Sequence, residues 1–217
     1  MKRTKKAYER IARGWVLVGL FAGTIFAGFP VFWMLSSSFK KNSEIFAYPP
    51  QILTEGFSID AYLVILSDPV KLRFFFNSYL VALSVTALTL IVATLAAYAF
   101  SRYNFAGGKS LNLVILSVQA VPPITLLIPF FGVIVGLGLY NTYQGLILTY
   151  MVFTLPYAII MLTAYFNTLP KELDEAAKID GAGPLKVLTR ILVPISIPGM
   201  VSVGTYTFMI AWNEYLF

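Results

Sequence analysis

The chain contains no cysteine and no histidine, and only 10 of its 217 residues are acidic. Without thiols there are no disulfides, thiolate metal sites or cysteine nucleophiles. Without imidazoles there is no Ser-His triad and no histidine metal site. A carboxylate-only metal site would need converging acids, and most of the acids stand in polar stretches between apolar runs. Charge of either sign is scarce at 12%, whereas 58% of the residues are hydrophobic and the mean hydropathy is +0.77. A soluble domain of this length has too little interior to hide that much apolar surface. Part of the solvent of this chain is therefore expected to be lipid. The net charge of +6 sits in short basic tracts between apolar runs, a placement that argues against nucleic acid as a partner.

Crossing a hydrocarbon core of about 30 Å takes about 20 helical residues. Five apolar runs meet that length, at about 15–35, 74–100, 111–135, 144–166 and 195–217. The first is too long for a cleavable signal peptide and lacks a small-residue cleavage site. Trp15 and Trp33 bracket it, a helical rise of about 27 Å, as an aromatic belt would. Residues 1–14 then form a basic tail, 36–73 an outer loop with one short helix near 59–66, and 167–194 an inner loop. Basic residues number twelve on the tail and the loops around 102–109 and 167–194, against four on the other side (Lys40, Lys41, Lys71 and Arg73). By the positive-inside rule the N-terminus and the 167–194 loop face the cytoplasm. An odd number of spans and an apolar end at Phe217 lead us to expect one more span in the native product.

The segment from Leu169 to Pro194 is the most informative. Pro170 suits a helix's first turn, and Glu172 and Asp174 favour the positive end of its dipole. Leu173, Ala176 and Ala177 share one face at i, i+3, i+4 spacing. Two adjacent alanines make that face flat enough to enter a groove in a partner. Gly181 is suited to the left-handed conformation that ends a helix. After Gly183-Pro184 a second helix restarts, with Leu185, Leu188, Ile191 and Leu192 as an apolar stripe feeding the last span.

The pattern Glu175-Ala176-Ala177, three residues, Gly181, nine residues, Ile191-Leu192-Val193-Pro194 resembles the EAA motif of ATP-binding-cassette (ABC) importer permeases. It departs only in Val193, where leucine is usual. The resemblance implies an all-α polytopic protein of the type I importer architecture, with five of its transmembrane helices visible here. In that family the bent loop is the coupling helix, which docks in a cleft of a cytoplasmic ATPase. Carried over, the docking set is Leu173, Glu175, Ala176, Ala177, Asp180, Gly181, Gly183, Ile191 and Pro194. Further stretches resemble the smaller permease subunit of maltose-type carbohydrate importers: Ser36–Lys40, Asn77–Ala82, Ala97–Arg102, Leu137–Thr142 and Ala211–Phe217. The family implies a homologous second permease, two ATPase subunits that bind ATP and Mg, an external substrate-binding protein, and a bacterial or archaeal cytoplasmic membrane.

Pro122, Pro123 and Pro129 fall within the third run and Pro156 within the fourth, where lost backbone hydrogen bonds bend helices and shape a gate. Asn213 and Glu214 are pathway candidates, Glu214 being the sole acid inside an apolar run. Gly108-Lys109-Ser110 looks like the end of a phosphate-binding loop, but Tyr103 stands where that loop needs glycine and no strand precedes it. The chain is therefore read as a transport subunit with no nucleotide, metal or catalytic site of its own. Alternatives are a permease of the same architecture for amino acids, peptides or ions, a stand-alone transporter, and a membrane enzyme. The last two would need buried charges, inverted repeats or converging acids, and none stands out.

Overall fold

The computed structural model describes residues 2–54 and 56–214, with the side chains of 2–10 excepted, so the cations of the basic tail before Arg13 and the last three positions of the fifth run lie outside the description. No strand occurs among the described residues. The helices are α1 (Lys2–Ser38), α2 (Asn42–Ile45), α3 (Asp60–Leu66), α4 (Pro69–Arg102), α5 (Gly108–Val118), α6 (Pro123–Gly136), α7 (Tyr143–Asn167), α8 (Glu172–Ile179), α9 (Pro184–Val187), α10 (Val193–Ile195) and α11 (Ile197–Asn213). A π-helical turn, Leu188–Leu192, joins α9 to α10. The chain divides into two compact units, Met1–Arg73 and Phe74–Phe217.

In the first unit the apolar stretch of α1 buries nothing within the chain, as befits a helix that is apolar all round and bathed in lipid. The loop after it is fastened by side chains. Phe39 stacks on Phe57 at 5.0 Å and tilts against Tyr62 at 5.4 Å. Lys40 is buried, lies 4.6 Å over the Trp33 ring and donates to the Gln51 carbonyl. Ser36 donates to the Ile52 carbonyl at 2.7 Å. The short helix expected near 59–66 is α3, and α2 is an additional turn. Asp68 accepts from the Val70 N–H at 2.9 Å at the start of α4. The Lys71 ammonium, and then that N–H, hold its carboxyl below the usual carboxylate range.

In the second unit α4, α7 and α11 pack through small residues, because without a hydrophobic driving force in lipid it is close contact that holds helices together. Ala82, Ala93, Ala97 and Ala158 are fully buried. Thr89 and Thr154 are buried and share a hydroxyl–hydroxyl bond of 3.0 Å from α4 to α7. At Gly199 an added Cβ would come within 2.7 Å of the Tyr165 ring, so α11 reaches α7 only because that side chain is absent.

Among the described residues three helices, α1 (from Ile11), α4 and α7, are long and apolar enough to cross a bilayer, and up to five spans result if each of two bent pairs serves as one. The run 111–135, expected as a single kinked helix, is such a pair: α5 and α6 meet at 102°. At 11 and 14 residues they rise about 17 and 21 Å, each short of the hydrocarbon thickness. The double proline is the cause. Pro122 and Pro123 each disfavour helical backbone in the residue before, and Pro122 sits at ψ 131°. Two successive restrictions break a helix that one would only bend. Pro129 and Pro156, by contrast, lie inside continuous helices. The second pair places 184–195 at 80° to α11, with the corner at Ser196. This matches the expected lead-in helix, with α11 itself starting at Ile197.

Candidate functional site

The segment 167–194 folds as α8, a glycine corner, α9 and the π-helical turn. Helix α8 starts at Glu172, with Lys171 at its N-cap and Pro170 outside the first turn in which the sequence placed it. Glu172, Asp174 and Glu175 occupy its first turn, where the dipole favours acids. Its end is a complete Schellman motif. Gly181 stands at φ +75°, its N–H donates to the Lys178 carbonyl at 3.0 Å, and the Ala182 N–H reaches back to Ala177 at 2.9 Å. The left-handed glycine expected at this corner is therefore present. Gly183 is extended, and Pro184 opens α9.

Helix α8 has two faces, and the sequence reading mixed them. Ala177 is 6% exposed and joins the chain's own core with Phe166, Leu162, Val187, Leu188 and Leu192. Asp174 is buried beside it, and Leu173 is half-buried. The apolar face identified by spacing is thus largely the inward face, because apolar periodicity marks whatever a helix buries first in its own chain. Glu172, Glu175, Ala176 and Ile179 point outward. Ile179 is 87% exposed, the most exposed position on the helix for an apolar side chain. It lies at i+7 from Glu172 and i+3 from Ala176, so a search for the second stripe would have found it. Asp180 and Pro194 are exposed, and Ile191 is half-buried.

The inward face is held by an ion pair. The Arg102 guanidinium at the end of α4 meets the Asp174 carboxylate through Nε, with both side chains 6% exposed. Its other nitrogens donate to the Phe166 carbonyl at 3.0 Å and the Leu169 carbonyl at 3.4 Å. In the sequence Arg102 stands as a charge setting orientation and as the end of the Ala97–Arg102 stretch; its distance in sequence from α8 hides the contact. A cavity of about 130 Å³ lies against the pair, lined by Tyr98, Tyr103, Lys171, Glu175 and Lys178.

The other candidates lie away from this corner. Pro122, Pro123 and Pro129 are exposed, and Pro156 is buried in α7. Asn213 donates to the Met209 carbonyl at 2.8 Å, which caps its own helix, and the Tyr150 hydroxyl meets the Glu214 backbone carbonyl at 3.4 Å. These contacts do not bring Asn213 and Glu214 side chains together with the prolines.

The long apolar helices define a multi-pass membrane protein, and the corner after α8 is exposed and flanked by acids. Comparison with known proteins gives the family. Residues 89–217 match the binding-protein-dependent transport system inner membrane component family, and the chain belongs to it. It is 36% identical to the inner membrane ABC transporter permease protein YcjP of Escherichia coli (strain K12), over 100% of this chain and 77% of that one. It is 37% identical to the trehalose/maltose transport system permease protein MalG of Thermococcus litoralis, over 96% of this chain and 75% of that one. Its fold matches a chain of a bacterial ABC transporter involved in the import of the acidic polysaccharide alginate, with a TM-score of 0.77, 23% identity, and coverage of 98% and 73% of the two chains.

Proposed function

We propose that this chain is the permease subunit of an ATP-driven importer for sugars or oligosaccharides, and that residues 167–194 are its coupling loop. The observation that carries the reading is the pair of faces on α8. One is locked into the transmembrane core through Ala177 and Asp174, and the other turns Glu175, Ala176 and Ile179 outward. A helix so placed transmits a push from a docked partner to the spans. The partner is an ATPase pair that binds ATP and Mg. A homologous second permease completes the pathway, and an external binding protein delivers the solute. The trehalose/maltose system of one relative and the alginate importer that shares the fold support a carbohydrate as cargo. The bends at 119–122 and at Ser196, with Pro129 and Pro156, are the parts we assign to gating. Asn213 and Glu214 stand near the described end of α11 as pathway residues of lower rank.

The cargo is tested by uptake. Deleting the gene is expected to abolish accumulation of one radiolabelled oligosaccharide or sugar class while amino-acid and peptide uptake continue. Loss of amino-acid uptake with sugar uptake intact would overturn the assignment.

Orientation is tested separately. The basic residues at 171, 178, 186 and 190 support a cytoplasmic loop by the positive-inside rule, and Lys178 is exposed. In this cysteine-free chain Lys178→Cys is expected to react with a membrane-impermeant maleimide in inside-out vesicles and stay unlabelled in intact cells. Labelling of intact cells would reverse the topology.

A further inference from the structure

We propose that Arg102 is a positioning residue that delivers the movement of α8 directly to the ends of α4 and α7. This inference rests on the coupling-loop reading above and adds a second transmission route to it. The covalent route from α8 to α11 passes through Gly181, Ala182 and Gly183, then the π-helical turn and the Ser196 corner, all of which are departures from regular α-helix. A load carried along that path alone is spread over several bends. The Arg102 route has none. The side chain leaves the last residue of α4, its Nε meets Asp174 in the first turn of α8, and its two terminal nitrogens meet carbonyls at the end of α7 and just beyond.

The chemistry suits a rigid joint. Guanidinium is a planar fork with five donors, so its two terminal nitrogens hold two carbonyls in fixed directions while Nε stays in ion-pair contact with Asp174, an arrangement that an ammonium on a flexible stem does not reproduce. The Phe166 carbonyl already accepts from the Leu169 N–H at 3.1 Å and takes the guanidinium on its second lone pair, near the negative end of the α7 dipole, where a cation is favoured. Both partners of the ion pair are almost wholly buried, so separating them would leave two charges facing only the cavity of about 130 Å³ and its lining, a costly arrangement. The three elements therefore move together or not at all. Ala177, one turn on from Asp174, packs into the same core as Phe166 and keeps α8 seated over the joint.

The test uses the whole transporter, with both permeases, its ATPase and its binding protein, reconstituted in liposomes. Arg102→Met combined with Asp174→Leu removes both charges, so neither is left unpaired. The expected result is normal assembly and continued ATP hydrolysis, with a loss of solute transported per ATP relative to wild type. Wild-type solute per ATP in this variant would overturn the proposal. If the double variant fails to accumulate, Arg102→Lys decides, since it keeps the charge pair and loses the fork. Hydrolysis retained with lower solute per ATP supports the joint, and unchanged stoichiometry overturns it. The two readings fail separately. Retention of the ATPase by Ile179→Asp would remove the coupling loop itself, whereas lost docking there with full coupling in the Arg102 variants would remove only the joint.

Discussion

Ile179→Asp is expected to abolish co-purification of the ATPase while leaving the permease at normal levels in the membrane. Ile179 is 87% exposed on the outward face of α8, beside the exposed Ala176 and Glu175. An apolar side chain held that far out of its own chain suits a partner's apolar groove. Burying an unpaired carboxylate there costs several kcal/mol. At about 1.4 kcal/mol per factor of ten, docking weakens at least about a hundredfold. The chain itself has little reason to misfold, since Ile179 lies outside its core. The measurement is ATPase recovered per permease after affinity purification, with substrate-stimulated hydrolysis as the second readout. Full recovery of the ATPase would show that the outward face of α8 is not the docking face. Ala177→Glu is the instructive contrast. It puts a charge into the chain's own core and is expected to lower the amount of permease, so its loss of function would say nothing specific about docking.

The second large effect is on assembly of the membrane core. Gly199→Val would set a Cβ within 2.7 Å of the Tyr165 Cγ and Cδ2 atoms and 2.9 Å of Cε2. Overpacking of this kind costs about 1–3 kcal/mol when neighbours give way, and more when they cannot. Here the neighbour is a ring whose own helix packs through Leu162 and Phe166, both wholly buried. The expected outcome is a sharp fall in folded permease, seen as loss of the monodisperse peak on detergent chromatography. Tyr165→Ala in the same chain is expected to recover much of it by removing the obstructing ring, a coupling that a double-mutant cycle measures. No recovery would mean that the glycine matters for a reason other than space.

How far the sequence carried the structure depends on the kind of signal. The apolar runs at 74–100 and 144–166 became α4 and α7 because length and composition suffice to place a helix in lipid. Gly181 was legible because a left-handed corner needs glycine. The break at 119–122 was less so: the two prolines announced a bend, but its 102° follows from backbone restrictions acting in series, and no apolar count registers them. Ala177 was placed on the wrong face because apolar spacing says only that a face is buried, not whether against the same chain or another. Arg102 was read as a surface charge for a similar reason. Its partners Phe166, Leu169 and Asp174 lie more than 60 residues away, and only the folded chain brings them within reach.

The π-helical turn sets a constraint on counting. Within Leu188–Leu192 the Val193 N–H reaches the carbonyl of Leu188, five residues back, ahead of Pro194, which has no N–H and whose ring crowds the carbonyl of Arg190. The turn thus holds one residue more than an α-helix would. In an α-helix one residue is worth about 100° of rotation and about 1.5 Å of rise. Removing that extra residue would return the turn to α-helix with its flanks kept in phase, whereas removing one residue of Pro184–Val187 would swing the glycine corner around the axis by that angle. The number of residues separating the glycine corner from the π-helical turn thus works as a phase setting: it fixes which way the corner points, whatever side chains fill the interval.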